Sequence, residues 1–352
     1  MIEKTSYGNL SDGREVFQFT LQNNSGSQLQ IINYGAIATH LFVKNKDGKT
    51  EDVILGYDSI EGYENDNSFQ GSIVGRYGNR IAKGKFTIDS TEYQLDVNDG
   101  VNHLHGGTKG FNKQLWTGEA IESPDGPSVK LNYVSADGEM GYPGNLSITV
   151  TYTLTNDNEV KIQYEGTTDE ATILNPTHHS YFNLSGDFTK KILDHELQII
   201  ADRFTPVDET LIPTGELAPV EGTPMDFRTA KLIGKDINAD YKQLEIAGGY
   251  DHNWVLDNYD KTVRKVAELY DPSSGRVMEV LTDQPGLQFY SGNFLNGSIN
   301  GKNGVKYQFR TALCLEAQCF PDSPNEPEFP SVVLRPGEKY SQTTIYKFSI
   351  KK

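Results

Sequence analysis

Chemistry in this chain could come from an imidazole and a carboxylate in polar segments. In the peptide Asn-Pro-Thr-His-His-Ser-Tyr-Phe-Asn-Leu, an extended backbone would place His179, Tyr181 and Asn183 on one face. In the peptide Leu-Cys-Leu-Glu-Ala-Gln, Glu316 alternates with leucines. Because a buried, unpartnered carboxylate is costly, Glu316 is expected to face water or a lined cleft. Such groups could accept and donate protons.

Further polar residues stand in three other short segments. His105 directly precedes two glycines, which would let the backbone approach a ligand closely. Asp251 lies beside aromatic residues in Gly-Tyr-Asp-His-Asn-Trp, and Arg76 and Arg80 would share one face of a strand. This collection of Asn, Gln, His, Asp and Arg side chains favours a neutral polyol as the ligand.

Several other interpretations of these residues remain open. The two histidine pairs, one split by a leucine and one contiguous, could be metal ligands. Glu316 could be the structural ion-pair partner of Arg76 or Arg80. It could also act with Asp251 as the carboxylate pair of a glycoside hydrolase. A sugar-binding module without turnover would use the same hydroxyl contacts.

The elements that must position these residues are predicted to be strands. Residues 146–154 are apolar at every second position, and the alternation resumes over 160–164 after a Thr-Asn-Asp-Asn turn, which predicts a β-hairpin. Residues 226–237 could hold a short helix. Strands without intervening helices imply antiparallel pairing, so we predict an all-β sandwich or barrel with few short helices. Similar runs recur at 16–21, 29–34, 131–134, 197–200, 263–270, 277–281, 287–290, 313–317 and 344–350.

Bulk composition narrows the partners and the compartment. The 352 residues show no composition break, so a single domain over 1–352 is expected. A net charge of −16 disfavours nucleic acid and anionic membranes as partners but leaves a neutral ligand possible. Two cysteines, Cys314 and Cys319, are expected to be reduced thiols in the cytoplasm. The sequence has no apolar stretch that suits a signal peptide or a membrane span.

Eight segments together resemble the aldose 1-epimerase (galactose mutarotase) family and occur in the family's order. The resemblance implies a large antiparallel β-sandwich with a sugar cleft on one sheet. It also implies exchange of the α and β anomers of a free hexose such as galactose or glucose, without metal or cofactor. The segments are 75–84, 102–107, 179–184, 249–253, 284–290, 315–318, 322–330 and 334–338.

The resemblance also assigns a role to each matched residue. Glu316 corresponds to the family's general base and His179 to its general acid. Cys319-Phe320 and Tyr77-Gly78 depart from the common pattern, which bears on cleft shape and sugar preference. The positions expected to bind sugar hydroxyls are Asn79, Arg80, His105, Tyr181, Asp251 and Gln288.

The expected partner is one small monosaccharide, and the expected assembly is a monomer or a weak homodimer. A hexose-6-phosphate epimerase of the same fold is an alternative. That enzyme would need an additional cationic pocket for the phosphate, which Arg80 alone does not supply.

Overall fold

The computed structural model describes residues 1–351, and strands dominate it. Strands hold 43% of the residues, and the two α-helices, Ile60–Asn65 and Lys242–Ala247, have six residues each. Single 3₁₀ turns occupy Ala82–Gly84, Phe111–Lys113, Glu139–Gly141, Ile192–Asp194, Ile233–Lys235 and Lys302–Gly304. The predicted all-β fold with few short helices is therefore confirmed.

The largest sheet has nine strands, and every neighbouring pair in it is antiparallel. Its centre contains the predicted hairpin, in which Leu146–Leu154 pairs with Glu159–Thr168 so that Leu154 lies opposite Val160. In spatial order the strands are Thr117–Ser123, Gly126–Ser135, Leu146–Leu154, Glu159–Thr168, Tyr340–Ile350, Arg276–Thr282, Arg264–Tyr270, Glu196–Ile199 and Lys231–Leu232.

Two five-stranded sheets and four two-stranded ladders complete the strands. The first five-stranded sheet contains Ile2–Asn9, Glu15–Gln22, Gln28–Ile32, Ile37–Lys44 and Thr50–Asp52. The second, here called the site sheet, contains in spatial order Ala218–Pro219, Arg203–Thr205, Asp251–Val255, Gly286–Tyr290 and Cys314–Gln318. The ladders pair Arg80–Ile81 with His103–Leu104, Ile73–Val74 with Thr177–His178, Lys85–Ile88 with Thr91–Gln94, and Thr172–Ile173 with Val333–Leu334.

The site sheet packs its apolar face against the nine-stranded sheet. Leu315 and Phe289 from the site sheet belong to the same buried cluster as Tyr346 and Val280 from the large sheet. The Tyr346 hydroxyl also donates to the backbone carbonyl of Leu315 over 2.8 Å. The two sheets thus form the sandwich, and the opposite face of the site sheet is left to carry polar side chains.

The helix predicted within residues 226–237 is wrong. That segment instead holds the short strand Lys231–Leu232 and the 3₁₀ turn Ile233–Lys235. Asp226 Oδ1 accepts a hydrogen bond from the backbone N–H of Arg228 over 3.1 Å. Such a local bond competes with helical bonding at the start of the segment. Within residues 1–351, none of the helices combines the length and the apolar character that crossing a membrane requires.

Candidate active site

The site sheet presents a row of polar side chains on its outer face. Asn253 lies opposite Gln288, and Gln288 lies opposite Glu316, so these three share one face. Asp251 is two residues before Asn253 and therefore points the same way, while Leu315 between the polar positions faces the core. The leucine alternation around Glu316 therefore predicted correctly that its carboxylate faces a lined cleft.

A cavity of about 440 Å³ lies over this face. Its volume is within the range of small-molecule pockets. It contains seven of the eight predicted site residues, and the exception is Gln288. The lining residues are Tyr57, Asn65, Asp66, Asn67, Ser68, Phe69, Asn79, Arg80, Leu104, His105, His179, Tyr181, Asp251, Tyr290, Phe294, Ser298, Ile299 and Glu316.

His179 and Glu316 form a buried pair in this cavity. Nε2 of His179 is 3.8 Å from Oε1 of Glu316, and the residues are 5% and 2% exposed. Burial lowers the pKa of His179 to about 4. Burial, with the nearby Asp251 carboxylate, raises the pKa of Glu316 well above its ordinary value, and Arg80 opposes this increase. Burial thus opposes the charged form of each group, which makes the Glu316 carboxylate a stronger base once it is ionised.

Asp251 is the first residue of its strand in the site sheet and lies on the polar face. Its Oδ1 accepts a hydrogen bond from Nε2 of Gln288 over 2.7 Å. Burial raises the pKa of Asp251, while the Arg80 charge and the Gln288 bond lower it. Gln288 thus contacts Asp251 rather than lining the cavity, and we expect it to orient that carboxylate.

Arg80, Asn79 and His105 come together through the short ladder beside the cavity. The Asn79 N–H donates to Nδ1 of His105 over 3.0 Å, which leaves Nε2 of this imidazole available to a ligand. The Asn79 side-chain oxygen accepts from the Arg80 N–H over 2.9 Å. Nε of Arg80 is 2.8 Å from Oδ2 of Asp99, so the guanidinium already has a carboxylate partner.

Each histidine pair contributes one member to the cavity and one to the scaffold. His103 contacts the Tyr142 hydroxyl and a backbone carbonyl, each over 2.6 Å, and His178 contacts two buried hydroxyls. Three donors, from His105, His179 and Glu316, lie within 4.8 Å of one another and could hold a metal ion. The predicted pairs therefore do not act as pairs of ligands, because each has one imidazole engaged elsewhere.

Three details of the sequence prediction are wrong. Arg76 does not share a face with Arg80, because its guanidinium is buried and donates to carbonyls such as those of Pro143 and Gly144. Asn183 is not in the cavity, since its amide donates to backbone carbonyls including that of Thr311 over 2.8 Å. Gly106 adopts φ +89° and approaches a backbone, not a ligand: a Cβ there would lie 1.7 Å from the Gly75 carbonyl oxygen.

Sequence reasoning missed part of the cavity wall. Residues 65–69 form one side, and the Phe69 ring centroid is 4.6 Å from that of His105 and 5.9 Å from that of His179. The Asn-Asp-Asn-Ser composition of residues 65–68 is typical of an ordinary turn and carries no signal of a binding site. Tyr290 could have been found, because it is two residues after Gln288 and alternation places it on the same face.

Comparisons with known proteins identify the family of this chain. The aldose 1-epimerase family model matches residues 18–347. The galactose mutarotase of Rattus norvegicus is 45% identical over 350 residues, which is 99% of each chain. The aldose 1-epimerase of Escherichia coli K12 is 40% identical over 339 residues, 96% of each chain. The crystal structure of galactose 1-epimerase from Lactobacillus acidophilus NCFM matches with a TM-score of 0.88 and 31% identity, covering 100% of this chain and 99% of that one. The chain belongs to the aldose 1-epimerase family.

Proposed function

We propose that this protein is an aldose 1-epimerase that interconverts the α and β anomers of free hexoses such as galactose and glucose. The observation that supports this most strongly is the buried His179–Glu316 pair, with Nε2 and Oε1 3.8 Å apart in a cavity lined by hydrogen-bonding side chains. Full-length identity of 40–47% to galactose mutarotases and an aldose 1-epimerase supports the same reaction.

Ring opening needs one proton removed from the anomeric hydroxyl and one added to the ring oxygen. In the proposed mechanism, the ionised form of Glu316, which its raised pKa makes a stronger base, accepts the O1 proton. Nε2 of His179 delivers a proton to the ring oxygen, so the bond between C1 and the ring oxygen breaks. The sugar stays neutral, since one proton leaves as another arrives. Rotation about C1–C2 turns the aldehyde, and the reverse transfers close the ring as the opposite anomer.

The other cavity residues hold the hydroxyls of the sugar during this rotation. Arg80 and Asp251 would make charge-assisted hydrogen bonds, while Asn79, His105 and Tyr181 supply neutral partners. Gln288 would act one step away by orienting Asp251. Preorganised partners of this kind keep the reacting atoms near the acid and the base.

Polarimetry of freshly dissolved α-D-galactose and α-D-glucose tests the proposal directly. With purified protein in buffer containing EDTA, optical rotation should relax faster in proportion to enzyme concentration for at least one sugar. Relaxation at the spontaneous rate for both would refute the proposal. Activity that appears only without EDTA would instead support a metal-dependent site at His105, His179 and Glu316.

Variants of the acid and base test the proposed roles. Glu316→Gln should lower the rate by at least ~10² while leaving sugar binding largely intact, as expected for loss of a general base. His179→Asn should depress turnover in the same way. Near-full activity of Glu316→Gln would disprove its role, and weaker binding at an unchanged rate would assign His179 to positioning.

Two alternatives give different results in the same assay. A sugar-binding module would bind the hexose without accelerating anomer exchange. A hexose-6-phosphate epimerase would act on the phosphorylated sugar alone. Among the lining residues, all within 1–351, Arg80 is the one Lys or Arg, and it already faces Asp99, so the cavity fits an uncharged sugar better than a dianion.

We further propose that the chain works as one domain, as a monomer or weak homodimer, in the cytoplasm. Both cysteines are free and buried, which suits a reducing compartment. A single cooperative unfolding transition would support one domain. The molar mass in solution over a range of protein concentrations would establish the assembly.

A further inference from the structure

The strand Cys314–Gln318 carries a thiol and a carboxylate on the same face. Cys314 is two residues before Glu316, so both side chains point away from the core, roughly 7 Å apart along the strand. Both residues are buried, with Cys314 at 0% exposure. The position of the thiol therefore follows from the alternation that aims the carboxylate into the cavity.

The His179 imidazole lies between these two side chains, with one ring nitrogen near each. Its Nδ1 is 3.6 Å from Sγ of Cys314, and its Nε2 is 3.8 Å from Oε1 of Glu316. The first distance is within hydrogen-bonding range for the large sulfur atom. One ring nitrogen thus contacts the thiol while the other faces the Glu316 carboxyl group.

Two aromatic neighbours of this imidazole do not supply a polar side-chain partner to Nδ1. The His105 ring is 5.0 Å away, centroid to centroid, and meets it edge to face. The Tyr181 ring is 5.2 Å away, and its hydroxyl donates to the Ser68 carbonyl over 2.9 Å. Among residues 1–351, Cys314 provides the side-chain hydrogen-bond contact to Nδ1.

The protonation of both groups determines the direction of this bond. Burial lowers the pKa of His179 to about 4, so near neutral pH the ring carries one proton. Burial raises the pKa of Cys314 well above its ordinary value, so the sulfur keeps its proton. A neutral thiol beside an imidazole nitrogen can donate S–H to that nitrogen, which places the ring proton on the other nitrogen.

We propose that Cys314 is a positioning residue for the general acid: its S–H donates to Nδ1 of His179 and holds the ring proton on Nε2, facing the sugar. The inference rests on the proposed function, since a proton at Nε2 matters only if this nitrogen protonates the ring oxygen. In the opposite tautomer, Nε2 would present a lone pair to the ring oxygen and could not act as its proton donor.

Kinetics of Cys314→Ala and Cys314→Ser, with Cys319→Ala as the matched control, test this role. Losing one weak hydrogen bond should lower kcat of Cys314→Ala about 2- to 10-fold with KM changed less than twofold. Serine restores a donor, so Cys314→Ser should recover more than half of the lost rate. Cys319 is also buried, but its sulfur contacts Ser323 and Pro330, so its variant should keep wild-type kcat.

A second readout reports the tautomer without relying on turnover. In ¹⁵N-histidine-labelled protein, with His179 assigned by comparison with His179→Asn, the protonated and unprotonated ring nitrogens have distinct chemical shifts. Wild type and Cys314→Ser should show the proton on Nε2, and Cys314→Ala should show a mixture or the reverse. An unchanged tautomer with unchanged kcat in Cys314→Ala would overturn the proposal. A wild-type protein that lacks anomerase activity would instead overturn the proposed function.

Discussion

Replacing Arg76 by Met should lower stability and leave KM unchanged, whereas replacing Arg80 by Met should raise KM with little loss of stability. The Arg76 guanidinium is fully buried and donates to the carbonyls of Ser135, Ala136, Pro143 and Gly144 over 2.8–3.0 Å. Arg76→Met removes these donors and leaves buried acceptors unpaired. A charged hydrogen bond contributes about 1.5–3 kcal/mol, and relief from burying the charge offsets part of the sum, so we expect a loss of roughly 3–5 kcal/mol.

The expected change in melting temperature follows from the chain length. An unfolding entropy of about 2.1 cal/mol/K per residue over 352 residues gives roughly 0.7 kcal/mol/K. The loss of 3–5 kcal/mol should therefore lower the Tm of Arg76→Met by about 4–7 °C. Its KM should stay near the wild-type value, because Arg76 does not line the cavity.

Arg80→Met should show the reverse pattern. Its ion pair with Asp99 is partly exposed, so the stability cost should be about 1 kcal/mol or less. Losing a charge-assisted bond to a sugar hydroxyl should raise KM at least ~10-fold. Calorimetry measures the Tm of each variant, and polarimetry measures its KM. A wild-type Tm for Arg76→Met, or a wild-type KM for Arg80→Met, would refute the reasoning for that residue.

Three further predictions follow from single contacts and from burial. Gln288→Leu should raise KM about 3- to 10-fold in polarimetry, because Asp251 loses the amide that orients it; an unchanged KM would contradict that role. Gly106→Ala should lower Tm by several degrees and reduce activity, whereas Gly100→Ala, with positive φ but nothing within 4 Å of its Cβ, should cost only about 1 kcal/mol. Burial lowers the pKa of all seven histidines, that of His103 to about 4, so the unfolded chain binds more protons below about pH 6.5. The free energy of unfolding should fall as pH drops from about 6.5 to 4, opposed in part by carboxyls with raised pKa, and urea titrations at several pH values would measure this.

Alternation along strands made the fold and the direction of the Glu316 side chain predictable. The apolar period of two located the central hairpin and placed Glu316 facing away from the core. The same rule could have added Cys314 and Tyr290, which occupy the same face as Glu316 and Gln288. Prediction worked where the backbone is a regular strand, because successive side chains there point alternately to opposite faces of the sheet.

Prediction failed where the backbone leaves regular structure. Only Arg80–Ile81 is strand in the segment that contains both arginines, and Asn79 adopts φ +65°, so the spacing of Arg76 and Arg80 does not determine a shared face. The cavity wall at residues 65–69 depends on long-range contacts, such as the bond from Tyr181 to the Ser68 carbonyl. No local pattern encodes contacts between segments more than 100 residues apart.

The precision of the site depends on the sheet beneath it. The carbonyls on either side of Glu316, at Leu315 and Ala317, accept hydrogen bonds from Tyr346 over 2.8 Å and from Gln342 over 3.2 Å. Both donors come from the long strand Tyr340–Ile350 of the nine-stranded sheet. An acid and a base acting across one C–O bond must keep a fixed separation, and small displacements cost rate steeply. Under the proposed mechanism, the large sheet contributes to catalysis indirectly, because it fixes the backbone from which the Glu316 carboxylate projects.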